Sequence, residues 1–184
     1  MPERLCALDT SPWIALISKE PDRAEHVLRL LGEAERGDLR IFVSTTTITE
    51  IVKEPEAVAP VMSEVDERTF NEYMDNPWIT MVSVDPIVAT RARDLRRLVP
   101  RLKTPDAQIL ATALVARVEV LYTYDHKDLI PLNGTDAVGG MRIEEPPIEH
   151  QLALSEWSKE TAMQLTADPM VRAPTEGPAL TEES

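Results

Sequence analysis

Cysteine is nearly absent from this 184-residue chain: the lone Cys6 leaves no intramolecular disulfide and no cysteine-based metal cluster, which fits a reducing compartment. Aromatic residues are scarce, at 4%. Basic residues are in deficit, with 19 Lys and Arg against 32 Asp and Glu and a net charge of −13. That balance argues against a protein that coats nucleic acid over its whole surface, a mode that rests on a surplus of Lys and Arg. It leaves room for a local basic patch. No uncharged run exceeds the ten residues 107–116, well short of the ~18–20 that a membrane-spanning helix requires. The opening residues, MPERLCALDT, hold no apolar core of signal-peptide length. A soluble, cytoplasmic protein without a membrane partner is expected. What the chain does have is 43% hydrophobic residues, enough for a core that needs neither a disulfide frame nor a zinc staple. Its length suits one domain with a little to spare, since domains run ~100–200 residues.

The pattern along the chain alternates between strand and helix. Residues 5–8 read as a short buried strand, stopped by Asp9-Thr10-Ser11-Pro12, where Ser11 can cap a helix and Pro12 suits its first position. Within 21–35, Ala24, Val27, Leu28 and Leu31 fall at i, i+3, i+4 and i+7, an amphipathic helix. A second strand at 39–43 leads into a helix that carries Glu50. Residues 55–76 are expected to be helical despite Pro55 and Pro60, and 78–84 reads as a third strand. Pro86 heads a helix to residue 99, and Thr104-Pro105-Asp106 opens another. Strands at 118–124 and 141–143 complete the series. Alternation of this kind predicts an α/β fold, a three-layer α/β/α arrangement on a mainly parallel sheet of about five strands. From Pro146 onward the composition shifts to five prolines and seven acids, with Lys159 and Arg172 the only bases. The expected division is therefore a domain at 1–148 and an acidic extension at 149–184, with one helix over about 154–165 and disorder beyond.

Ligands of an open parallel sheet gather outside the carboxyl ends of its strands. Four acids are expected there: Asp9, Glu50, Asp106 and Asp125. Each has an innocent alternative. Asp9 and Asp125 could be turn formers, Thr47 with Glu50 has the spacing of a capping box, and Asp106 could favour the positive end of its helix. Together they weigh differently, because two carboxylates ~4 Å apart repel by about 4 kcal/mol at an effective dielectric of 20. If the four converge, a cation is needed to keep them ionised. All-oxygen ligands suit Mg²⁺ or Mn²⁺ better than zinc or copper, and such a site points to phosphodiester chemistry.

The segments Leu-Asp-Thr-Ser at 8–11, Thr-Thr-Ile-Thr-Glu-Ile at 46–51, Lys-Thr-Pro-Asp-Ala-Gln-Ile-Leu-Ala-Thr-Ala at 103–113 and Leu-Tyr-Thr-Tyr-Asp at 121–125 resemble the PIN domain, in the manner of the VapC-type toxin nucleases. The resemblance runs from about residue 4 to residue 145. It implies a divalent-metal ribonuclease that hydrolyses RNA phosphodiester bonds with Mg²⁺ or Mn²⁺. Asp9, Glu50, Asp106 and Asp125 would be its metal-binding acids, and Thr123 a hydroxyl that orients a ligand or water. It also implies an RNA substrate, a tendency to form homodimers, and an antitoxin protein as partner in a toxin–antitoxin pair. Asp128 reads as a turn or helix-cap residue rather than a ligand.

Six bases fall within thirteen residues, Arg91, Arg93, Arg96, Arg97, Arg101 and Lys103, against the single acid Asp94. They read either as a solvated helix face or as a phosphate-contacting ridge that leads to Asp106. His26, His126 and His150 show no zinc spacing, and Cys6 reads as a core residue. Two rival phosphotransfer folds fit poorly. A haloacid-dehalogenase-like phosphatase wants an acid two places after Asp9, where Ser11 stands, and a receiver domain wants a lysine where Glu144 and Glu145 stand. A catalytically idle PIN-like scaffold, or a stand-alone RNA-processing nuclease without an antitoxin, are the alternatives to a toxin.

Overall fold

A run of apolar residues with no helical period makes the first strand, β1 (Arg4–Leu8), and its neighbours follow the same logic. The computed structural model describes residues 3–51 and 63–148. Strand β1 pairs on one side with β2 (Leu39–Ser44) and on the other with β4 (Val120–Tyr122). Outside these lie β3 (Ile79–Val82) and β5 (Arg142–Glu144). The order is β3-β2-β1-β4-β5 and every pairing is parallel, so the sheet is wholly rather than mainly parallel.

Alternation along each strand sorts the core into two halves. Cys6 and Leu8 of β1, Ile41 and Val43 of β2, and Val120 and Tyr122 of β4 point to one face. There they meet α1 (Thr10–Ile17), α2 (Arg23–Glu35) and Phe70 of α4 (Glu64–Met74). Ala7 and Leu121 point to the other face and pack against α5 (Pro86–Leu98) and α6 (Thr104–Val115). These are the three layers expected. Trp13 anchors α1 to α4 by an edge-to-face contact with Phe70, with ring centroids 5.7 Å apart and planes at 82°. Cys6 is fully buried, and desolvation pushes its thiol pKa well up.

Helix ends differ from the sequence expectation in two instructive places. Helix α1 starts at Thr10 with Asp9 as its N-cap residue, two residues ahead of the expected start, because the Ser11 hydroxyl is used elsewhere. The short helix α3 (Thr45–Glu50) is capped by Ser44, whose side chain accepts from the Thr46 N–H. The Thr47–Glu50 capping box is therefore absent. In the 55–76 stretch, residues 55–62 lie outside the described residues, and the remainder forms α4, opened by a capping box of Ser63 and Asp66. The expected helix at 154–165 and the extension as a whole also lie outside the described residues. Two 3₁₀ turns, Ile130–Leu132 and Asp136–Val138, lead to β5 through Gly139 and Gly140, whose φ of +57° and +88° suit glycine. Among the described residues, no helix is long and apolar enough to cross a membrane.

Candidate active site

The strand order fixes where a site can form. From β1 the chain moves outward through β2 and β3, then returns to the far side of β1 for β4 and β5. The direction reverses between β1 and β4, and a crevice opens at the carboxyl ends of those two strands. Asp9 follows β1 and Asp125 follows β4, so both stand at this switch point.

Asp9 is buried, at 5% exposure. Two hydroxyls converge on its Oδ2: Thr123 donates at 2.7 Å and Ser11 at 2.8 Å. Each hydroxyl is aimed by a backbone donor on the β4 side. Thr123 Oγ1 accepts from the Asp125 N–H at 2.9 Å, and Ser11 Oγ accepts from the Tyr124 N–H at 2.9 Å. Each hydroxyl thus accepts from a backbone N–H and donates its one proton to Asp9. Burial raises the Asp9 pKa, while the Thr123 and Ser11 hydrogen bonds oppose the rise.

Glu50 reaches the same region from the last residue of α3 and accepts a 2.6 Å hydrogen bond from Thr10 Oγ1. Burial raises its pKa, Thr10 and Lys103 lower it, and the charge of Asp9 adds to the rise. Asp106 lies in the first turn of α6. Its carboxyl is pushed up to about 6, first by burial and then by the charges of Asp9, Asp125 and Glu50, against the pull of Lys103. The other three acids expected from the sequence, Asp9, Asp125 and Glu50, thus all lie close enough to act on Asp106. Asp106 Oδ2 is buried and has no hydrogen-bond partner among the described residues, an arrangement that a carboxylate tolerates poorly without a cation or water.

Asp106, Asp125 and Asp128 each offer a carboxylate oxygen within 4.8 Å of the others. Asp128 does sit in a turn, where its N–H donates to Asp125 Oδ1 at 3.0 Å, but its nearly buried carboxylate also faces this group. The signal in the sequence was its spacing, three residues after Asp125 and so within one turn. Asp9 and Glu50 stand beside this trio rather than within it. Lys103, the N-cap residue of α6, places Nζ 3.3 Å from Asp128 Oδ2, and that contact raises its pKa. Ser11 and Thr10, which hold Asp9 and Glu50, also escaped the sequence reading. The basic residues Arg91, Arg93, Arg96 and Arg97 lie on α5, and Arg101 and Lys103 lie between α5 and α6. All but the half-buried Arg91 are exposed.

A wholly parallel sheet flanked by helices, with acids gathered at its switch point, defines the class: an α/β/α domain with an anionic site. Within that class the PIN domain matches residues 6–130, more than half of the chain. The chain belongs to the PIN domain family and is, by that membership, a nuclease. Solved structures share the fold. VapBC2 from Rickettsia felis bound to a promoter DNA fragment is 15% identical with a TM-score of 0.55, over 77% of this chain and 98% of that one. A toxin–antitoxin complex from Klebsiella pneumoniae is 23% identical with a TM-score of 0.50, over 77% and 98%. Mycobacterium tuberculosis VapC20, a sarcin-ricin loop cleaving toxin, is 15% identical with a TM-score of 0.53, over 77% and 99%. No curated protein matches the chain in sequence.

Proposed function

We propose that this nuclease is a divalent-metal-dependent endoribonuclease that hydrolyses RNA phosphodiester bonds and serves as the toxin of a toxin–antitoxin pair. The observation that carries the metal dependence is the buried, partnerless Oδ2 of Asp106 beside Asp125 and Asp128, with Asp9 and Glu50 adjacent. The donor set is all carboxylate, which suits Mg²⁺ or Mn²⁺. Asp106, Asp125 and Asp128 would hold the ion, with Asp9 and Glu50 completing the anionic wall. When bound, such an ion supplies Lewis acidity to the scissile phosphate and lowers the pKa of an attacking water.

The chain's own residues prepare the rest. Thr123 and Ser11 hold Asp9 in one orientation, and Thr10 does the same for Glu50. Neither acid then has to be ordered during the reaction. Lys103 offsets part of the carboxylate repulsion at the mouth of the site. The α5 arginines provide the attraction for a polyanion that the remaining surface, strongly acidic, does not. The antitoxin partner rests on likeness of fold to a chain of a toxin–antitoxin complex.

The test measures RNA cleavage with Mg²⁺, with Mn²⁺ and with EDTA, alongside thermal melting under the same conditions. The expected result is cleavage and a raised melting temperature only with the ions. Cleavage that persists in EDTA, in a protein that gains no stability from millimolar Mg²⁺, would overturn the metal-dependent reading.

A further inference from the structure

Helices α5 and α6 pack side by side, and their surface holds a cleft of about 360 Å³. On the α5 side, Ala89, Arg93, Arg96 and Arg97 recur at i, i+4, i+7 and i+8, one stripe of the helix. On the α6 side stand Thr104 and Gln108, four residues apart and therefore also on one face. Among the described residues, no carboxylate lines the cleft. Arg93 and Arg97 both lean on the single Asp94 Oδ1, at 3.4 and 3.3 Å, so one acid serves two guanidiniums. Arg96 is held by its Nε on the Leu102 carbonyl at 3.2 Å and pairs with no carboxylate among the described residues. Gln108 has its Oε1 taken by the Thr46 hydroxyl at 3.0 Å, which turns its N–H₂ donors away from that bond.

The cleft is thus rich in donors, cationic, and apolar at Ala89 and the buried Ala92. Its volume falls within the ~300–1,000 Å³ typical of small-ligand sites, more than a phosphate ion alone would fill. Its position relative to the acids is also fixed. Asp106 lies two residues from both Thr104 and Gln108, hence on roughly the opposite side of α6, about one helix diameter (~10–12 Å) away. Lys103, at the tip of that helix, stands between the two.

We propose that the α5–α6 cleft is a subsite for a nucleotide flanking the one that is cut, with its phosphate on the arginines, its ribose or base against Ala89 and Ala92, and its polar edge on Gln108. The strand would pass over the tip of α6 at Lys103. This inference rests on the RNA-cleaving reading and makes that reading more specific.

The test fills the cleft without changing charge. Ala89 is exposed on α5, so Ala89→Phe occupies the space at little risk to the fold, and Ala89→Ser keeps it open. Binding of a fluorescein-labelled single-stranded RNA is measured by anisotropy in EDTA, with melting temperature followed for each variant. Ala89→Phe should weaken binding by about tenfold or more, because it displaces one nucleotide and its phosphate contact to the arginines, while Ala89→Ser stays close to wild type. Ala89→Met gives a second filling variant if Phe lowers the melting temperature. Unchanged affinity in both filled variants would overturn the subsite and leave the arginines a plain charged face. Because binding is read without metal, a wild type that binds through the cleft but cuts nothing with Mg²⁺ would refute the ribonuclease reading alone.

Discussion

Replacing Asp106 by Asn should make the metal-free protein more stable while it abolishes cleavage. The carboxyl of Asp106 titrates at about 6 rather than 3.8. Keeping it ionised at pH 7 therefore costs up to about 3 kcal/mol at 1.36 kcal/mol per pH unit. Asp106 is only half-buried, so solvent screening reduces that to roughly 1–2 kcal/mol. A domain of this size shifts its melting temperature by about 2–4 °C per kcal/mol, which gives a rise of about 2–8 °C for the Asn variant in EDTA. The pH dependence has a definite sign. With the folded pKa raised, the wild type has its full stability below about pH 4, where Asp106 is protonated in both states, and loses it as pH rises through about 6. The gain from Asn should be near zero at pH 4, grow through pH 5 and 6, and level off above. Adding Mg²⁺ should stabilise the wild type and leave the variant much less affected, which closes or reverses the gap. Thermal melting followed by circular dichroism across this pH range, with EDTA and then with Mg²⁺, reads every part of this. An Asn variant less stable than wild type at pH 7 in EDTA would refute the argument, since it would mean that Asp106 is a stabilising helix-end residue.

Thr123→Val removes the donor to Asp9 and the acceptor for the Asp125 N–H in a fully buried position, and should cost about 1–3 kcal/mol in a denaturant titration, with Thr123→Ser recovering most of it. Arg96→Ala combined with Arg97→Ala should weaken RNA binding and flatten its dependence on salt, while saturated turnover changes much less; an unchanged salt slope would remove the α5 face from the RNA path. A chain ending at Glu149 should melt cooperatively within about 10 °C of the full chain, because all five strands and every acid of the site precede that point; a larger drop would make the extension part of the domain.

The sheet was legible in the sequence because its strands are short apolar runs set between helices with clear stripes. Ala7 and Leu121 on one face, and Cys6 and Leu8 on the other, follow directly from the two-residue period. The acids at strand ends were legible too, since the topology of a parallel sheet sends such positions to one rim. What the sequence could not show was how hydroxyls are allotted. Ser11 looks like a helix cap and Thr47 like half of a capping box, but a hydroxyl three residues from a partner carries no sign of whether it will face its own helix or another strand. Ser11 turned back to Asp9, held there by the Tyr124 N–H from across the switch point, Thr10 turned to Glu50, 40 residues away in sequence, and Ser44 took over the capping of α3. Asp128 was ambiguous for the same reason. Its backbone acts as a turn residue, its side chain faces Asp106 and Asp125, and only the three-dimensional turn decides both at once.

Because every strand runs in the same direction, the molecule has a working end and a handling end. The acids occupy the first. At the second lie the turns that enter the strands, among them Asp38, exposed just before β2, its side chain paired at the surface with Arg36 at 3.5 Å. The one native thiol is sealed in the core. A cysteine introduced at Asp38 would therefore be the single reactive thiol of the chain. A dye, a spin label or a surface tether could be attached there through ordinary thiol chemistry, with the full length of the strands between the attachment and the acidic rim.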